Sequence, residues 1–388
     1  MTPTTAASCG TFAGSGGGTP APVSPDELRG DLAEVWHRAV SGTAGAGGGV
    51  RVFHNDGGFG DYLRQVRGLF WRHLTPRKAL NVGLLGSEYL LGRSSLRSRP
   101  LAIKVESSNR CNLRCPLCRH GEDPAAGGFR DARMMSLDTF RRILDEVHRE
   151  TFIAILHHKG EPFLNKDLPA FCAAARDRNI ATMVSSHFGL PMRADDLERL
   201  VEGRLSYLTV SIDGATQEVY EQYRVGGRLE QVLNNVRRLL AVRRRAGARY
   251  PLINWQFIPF GHNVHEVSAA LRAAERLGVD HFTLLRNLGE RSTENFILGD
   301  DLRAERATFV PRCKWLWSTG MFLYDGEMVQ CCYYDWDRTR HFGNPLSESF
   351  GTIWNGRAYR NNRRLVTYKA TVADTPDAYC ARCPVGQS

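Results

Sequence analysis

From residue 101 to residue 285 the chain alternates short apolar runs with amphipathic stretches, and this alternation restricts its possible folds more than any other feature. The runs LAIKVE, TFIAILHH, IATMVSS, YLTVSID, LINWQFI and HFTLL read as buried strands. Between them SLDTFRRILDEVHRE, KDLPAFCAAARDR, ADDLERLV, LEQVLNNVRRLLAVRR and EVSAALRAAERLG read as helices. Strand and helix in strict succession imply a parallel α/β sheet with right-handed crossovers, a partial (β/α)6 barrel of the TIM type, open or closed. Chemistry in such a barrel gathers at the C-terminal strand ends.

Around this core the chain divides further. Residues 1–60, rich in Gly, Ala, Ser and Thr, read as a flexible segment with one helix in SPDELRGDLAEVWHRAV, capped near Ser24 or Asp26. Residues 61–99 read as a helical lead-in packed on the core, 100–300 as the barrel and 301–388 as a small C-terminal extension. The first residues carry neither a basic n-region nor an apolar h-region, and no run is long enough to span a bilayer, so a soluble cytoplasmic protein is expected. The formal charge of +10 raises the question of an acidic partner. Its densest run, RRLLAVRRRAGAR, ends a helix and lacks interleaved aromatics, which favours a solvated face over a nucleic-acid surface.

Seven of the ten cysteines fall into two sets. Cys111, Cys115 and Cys118 follow the first strand in CNLRCPLC; Cys313, Cys331, Cys380 and Cys383 belong to the extension. Without a secretory signal such sets point to metal centres rather than disulfides. Three thiols on one loop fit either a four-iron cluster with one iron left open or a zinc site completed by His120. In the extension, Cys313 and Cys331 bracket GMFLYDGEMVQ, a hairpin turning at Asp325-Gly326, and Cys380-x2-Cys383 completes a four-ligand site that zinc or a cluster would satisfy. Cys172 reads as core, and Cys9 lies in the tail.

The loop resembles the C-x3-C-x2-C signature of radical S-adenosylmethionine (SAM) enzymes, with Cys111, Cys115 and Cys118 matching the cluster ligands. That resemblance implies an open iron that chelates the methionine part of SAM, and cleavage to a 5′-deoxyadenosyl radical. KGEP resembles the family's glycine–glutamate motif, so Gly160, Glu161 and Pro162 would lie at the cofactor, with Lys159 where glycine is more usual. SIDG, with Ser211 and Asp213, and Arg224 in VYEQYR resemble residues that reach the cofactor's polar groups. The extension, with HFGNPLSESFGTIWNG, resembles the short twitch form of a SPASM domain. The resemblance therefore implies two [4Fe-4S] clusters, one binding SAM and one auxiliary, and an external reductant such as flavodoxin or ferredoxin.

An auxiliary cluster beside a substrate radical can accept its electron. The cysteine pattern is similar to that of dehydrogenases in aminoglycoside biosynthesis, which implies oxidation of a secondary alcohol on a sugar or aminocyclitol. Three other readings stay open. One is an epimerase with Cys332 as hydrogen donor, although Cys332 also reads as a neighbouring thiol or as a ligand in place of Cys331. Another is an enzyme modifying a ribosomal peptide, for which a strand-rich leader-binding domain would be expected near the N-terminus. The third is a zinc-stabilised RNA-binding scaffold. Polar residues that could face the barrel mouth are His157, His158, His187, Trp255, Gln256 and Arg286.

Overall fold

The computed structural model describes residues 35, 38, 50–55, 59–116, 118, 133–285, 313–331, 341–376 and 378–382. Its strands are β1 (Arg51–Asn55), β2 (Ala102–Val105), β3 (Ile153–Ile155), β4 (Ala181–Ser186), β5 (Tyr207–Ser211), β6 (Leu252–Phe257), β7 (His281–Leu285), β8 (Thr319–Phe322) and β9 (Met328–Val329). They form one sheet in the order β1-β7-β6-β5-β4-β3-β2-β8-β9, parallel except for the β8–β9 hairpin. The six expected strands are β2 to β7, each lying beside the next in the chain, and the sheet is open.

Two strands extend the expectation. β1 lies in the stretch read as flexible, yet it pairs with β7 from Arg51 to Asn55. This corrects that reading for 50–55, while most of residues 1–49 lies outside the described residues. Five residues flanked by glycine-rich sequence carry too little periodicity to stand out as a strand. β8 pairs in parallel with β2, so the extension's hairpin continues the barrel sheet.

Side chains alternate across the strands. Outward residues such as Ile103, Val105, Val184, Leu208, Trp255 and Phe282 join the main core with the helices. The helix Leu137–Val147 is typical of that layer: Ser136 caps it by accepting from Thr139 N, and it buries Phe140, Ile143, Leu144 and Val147. Inward, Ile153, Ala181, Met183 and Tyr207 meet Val66 and Leu69 of the helix Phe59–Arg72, which closes the barrel floor. The helix Phe59–Arg72 thus packs on the core, while Trp71, Leu80, Leu90 and Leu91 stay exposed. The basic run ends the helix Leu229–Arg245, with Leu239, Leu240 and Val242 buried and Arg244 and Arg245 exposed. Among the described residues no helix is long and apolar enough to cross a membrane.

His281 enters this floor from β7. Its Nδ1 lies 2.8 Å from the Tyr207 hydroxyl, and its ring packs edge-on against Phe53. Burial, against the pull of Asp280, lowers its pKa from 6.5 to about 4. The native state therefore keeps His281 neutral while the unfolded chain protonates it near 6.5, so its stability is whole above that pH and is lost as pH falls toward 4. Between pH 7.5 and 5.5 the loss comes to about 1.3 kcal/mol. Urea unfolding of His281→Gln, which keeps an acceptor for Tyr207 but cannot titrate, should show that much less dependence on pH over this interval.

Candidate metal centre

After β2 the backbone turns through Ser107, Ser108 and Asn109, all buried, before reaching Cys111. Ser107 Oγ donates to Leu156 O at 2.8 Å, and Asn165 Nδ2 donates to Ser107 O and Met135 O, each at 2.9 Å. The Arg133 N–H donates to Asn109 Oδ1 at 2.7 Å. Within the loop Cys118 N–H donates to Cys115 O at 2.9 Å, turning the third cysteine back toward the second. All three thiols are free, with Cys115 buried and the other two half-buried. Burial pushes the Cys111 thiol up to about 12. A multivalent cation is what would hold three such groups as thiolates. Among the described residues no three His, Cys, Asp or Glu side chains converge as one metal ion requires. Three ligands to separate irons of a cluster need no such convergence. His120, the fourth ligand of the zinc alternative, lies outside the described residues.

Gly160 explains why a glycine precedes Glu161. A Cβ there would strike Ser108 O and the backbone N and O of Arg110. The KGEP turn can therefore lie directly on the approach to Cys111. Glu161 N–H donates to Arg110 O at 2.6 Å, joining the end of β3 to the cysteine loop. The Glu161 carboxylate, 2% exposed, points the other way. It accepts from Phe163 N, from Ser186 Oγ at 2.7 Å and from His187 N at 3.1 Å. Pro162 opens the short 3-10 turn Pro162–Leu164 that follows. What Glu161 presents toward the loop is backbone, and its side chain braces the β3 and β4 ends. Lys159 is half-buried beside it.

Ser211 closes β5, and Asp213 follows, 0% exposed. Asp213 Oδ1 accepts from Ile258 N at 2.7 Å, while Oδ2 accepts from Arg224 Nε at 2.6 Å and pairs with Nη2 at 2.5 Å. This aims Arg224 at the cysteine loop, with Nη1 3.9 Å from Cys115 Sγ. Burial works against the guanidinium's charge, but Asp213 and Cys115 outweigh it and raise its pKa well above the usual value. Burial also raises the pKa of Asp213, against Arg224 and the Ile258 N–H; with three donors on two oxygens, the carboxylate is the form that fits. Tyr220, on the helix Gln217–Tyr223 that Arg224 caps, is fully buried, and among the described residues its hydroxyl has no partner. Gly160, Glu161, Asp213 and Arg224 thus gather at one strand-end surface with the first cysteine set.

The barrel-mouth candidates separate. His187 belongs to the loop's support: its Nδ1 accepts from Gly189 N, leaving Nε2–H to donate to Asn112 Oδ1 at 2.9 Å, between the first two cysteines. Trp255 does not face the mouth. It packs outward in the main core and donates Nε1–H to Ile212 O, a correction that follows from strand alternation. Gln256, one residue on, pairs in register with Ser211 on the inward side. His157 is inward as well, His158 is half-buried, and Arg286 lies outside the described residues. Thr209, Asn254 and Thr283 link across the interior, with Thr283 Oγ1 donating to Asn254 Oδ1 at 2.8 Å. Sequence reading missed this polar layer and Lys104, although a lysine inside the apolar run LAIKVE was the available signal.

In the extension the turn is at Asp325-Gly326 as expected, with Gly326 at φ +87°. Cys313 precedes the short helix Trp315–Ser318, Cys331 follows β9, and Cys380 sits in the turn Tyr379–Arg382; all three are outside disulfides and half-buried. Cys332 and Cys383 lie outside the described residues. The helix Arg357–Val366 backs the set, with Asn362 Oδ1 accepting from Cys380 N at 2.9 Å. Burial raises the Tyr359 pKa, Arg363 lowers it and Cys331 raises it again, which puts the hydroxyl within electrostatic reach of that thiol. Beside Cys331, Gln330 is 2% exposed, and among the described residues neither its amide atoms nor the Tyr359 hydroxyl has a hydrogen-bond partner. Orphaned polar atoms around cysteines fit a bound group with acceptor atoms, as the sulfides of a cluster supply. The Ile-Trp-Asn of the extension locks onto the chain ahead of β2: Trp354 Nε1–H donates to Ser98 O, and Asn355 exchanges bonds with Leu96 at 2.7 and 2.9 Å.

Comparison with known proteins agrees with this layout. Residues 105–263 match the radical SAM superfamily, and residues 313–384 match SPASM, an iron–sulfur cluster-binding domain. A PqqA peptide cyclase of Granulibacter bethesdensis is 25% identical over 179 residues, 46% of this chain and 45% of that protein. One from Ruegeria pomeroyi is 28% identical over 181 residues, 46% and 45% of the two chains. The matched region thus spans under half the length of these relatives. The fold is similar to that of Streptococcus suis SuiB bound to S-adenosylmethionine, with a TM-score of 0.57 and 14% identity over 77% of this chain and 80% of that one.

Proposed function

Because this chain carries a radical SAM domain followed by a SPASM domain, we propose that it is an enzyme that modifies a peptide, with SAM, one SAM-binding four-iron cluster and one auxiliary cluster as cofactors. When bound, the first cluster and SAM supply abstraction of a hydrogen atom from an unactivated carbon. Cys111, Cys115 and Cys118 hold that cluster. Arg224, fixed by Asp213, keeps a positive charge beside Cys115. The Gly160–Glu161 backbone and Ser211 line the cofactor's side of the strand ends. Cys313, Cys331, Cys380 and Cys383 hold the auxiliary cluster, and a flavodoxin or ferredoxin supplies electrons.

The observation that carries the peptide reading is the similarity to PqqA peptide cyclases over nearly half the chain. The cysteine pattern that suggested alcohol oxidation fits a peptide enzyme equally well, since either substrate radical can pass its electron to an auxiliary cluster. The test uses anaerobically reconstituted protein, SAM and reductant, with perdeuterated peptides encoded by short open reading frames beside this gene. Deuterium should appear in 5′-deoxyadenosine, and the peptide should lose mass by two hydrogens. Label arriving from a deuterated aminocyclitol, and from none of the peptides, would return the alcohol-oxidation reading.

A further inference from the structure

Lys104 lies in the middle of β2 and pairs in register with Ile155 of β3 and Met321 of β8. Ile103 and Val105, on either side of it, belong to the outward core, so Lys104 faces the barrel interior. Its ammonium stands 5.9 Å from the centroid of the Trp315 ring, two residues after Cys313. Among the described residues no carboxylate forms an ion pair with it; Glu106, two residues on, is buried and has a partner of its own.

His157 lies two residues beyond the end of β3, on the same inner face. Ser185 N–H donates to its Nδ1 at 2.9 Å, so in the neutral ring the proton sits on Nε2. Burial, then Lys104 and His158, hold its pKa well below 6.5 and so keep the ring neutral. A cation and an N–H donor therefore lie on one inner face, above an apolar floor, with no acidic partner among the described residues. A half-buried lysine with no counter-charge is costly unless an anion arrives.

We propose that Lys104 and His157 form a carboxylate-binding pair inside the barrel, which takes an acidic side chain of the substrate between the first cysteine loop and the extension. The peptide source of that carboxylate rests on the function proposed above; the site itself does not. Lys104 supplies the charge, the His157 Nε2–H supplies direction, and Trp315 and Met321 wall the acyl chain of the ligand.

The test follows reductive methylation of Lys104 in the full-length reconstituted protein, read by peptide mass spectrometry and normalised to exposed Lys369. Saturating SAM is present throughout, so the cofactor's own carboxylate is accounted for. The capped residue N-acetyl-glutamate N-methylamide should slow labelling about fivefold when it fills about four-fifths of the sites, and its glutamine counterpart should not. His157→Leu should remove most of that protection and His157→Gln, which restores an N–H donor, should recover it. Protection by glutarate alone would support the site with a small acid as occupant and count against the peptide reading. Equal protection by the glutamine probe, complete protection by SAM alone, or a Lys104 closed to the reagent in the free protein would each overturn the proposal. No turnover is needed, so a failure here is distinct from a failure of deuterium transfer from peptides.

Discussion

Replacing Cys111, Cys115 and Cys118 together with alanine should lower the iron content from about eight to about four per chain and abolish formation of 5′-deoxyadenosine. The reason is local. The three thiols sit on one loop that is pinned independently of them, by Asn165 and Ser107 ahead of Cys111 and by the Arg114 N–H to Val225 O bond between Cys111 and Cys115. Removing the sulfurs therefore leaves the loop's support intact, and the far-ultraviolet circular dichroism should be unchanged. The second set lies on separate elements, the hairpin and the C-terminal turn, so its irons should remain. Iron analysis and electron paramagnetic resonance of the variant check both halves. A variant that loses all its iron would show that the two sites assemble together, and one that still cleaves SAM would refute the ligand assignment.

Asp213→Ala should destabilise the protein by about 3–5 kcal/mol, since it leaves the largely buried guanidinium of Arg224 without its counter-charge. Asp213 accepts from Arg224 and from Ile258 N, so the substitution also orphans a strand-end amide at β6. The double variant Asp213→Ala, Arg224→Met removes the unpaired charge and should recover much of that stability. It should not recover cofactor affinity, because the cation beside Cys115 is gone. Chemical unfolding of the three variants, with equilibrium dialysis of SAM, separates the two effects. A double variant no more stable than Asp213→Ala would place the cost in the Ile258 amide instead.

The site was legible in the sequence wherever chemistry depends on residues close together in the chain. The first three cysteines, the hairpin between Cys313 and Cys331, and the strand-end motifs KGEP and SIDG are all local signals. Their roles were less legible. Glu161 reads as a cofactor residue, yet its carboxylate is occupied by Ser186 and His187, because β4 brings those groups alongside β3. His187 and Trp255 read as mouth residues. One braces the cysteine loop through Asn112, and the other turns into the helix layer by the period-two alternation of β6.

The sequence by itself determined the alternating strands and helices, the order of β2 to β7, the two cysteine sets and the turn at Gly326, since each is written in local periodicity or in the spacing of residues along the chain. Only the tertiary structure decided that β1 joins β7, that the hairpin of the extension continues the barrel sheet beside β2, and that Lys104 and His157 share its inner face. Those contacts join segments up to more than two hundred residues apart, and their partners are selected by packing and backbone pairing across the sheet, which leave no periodic trace in either segment alone.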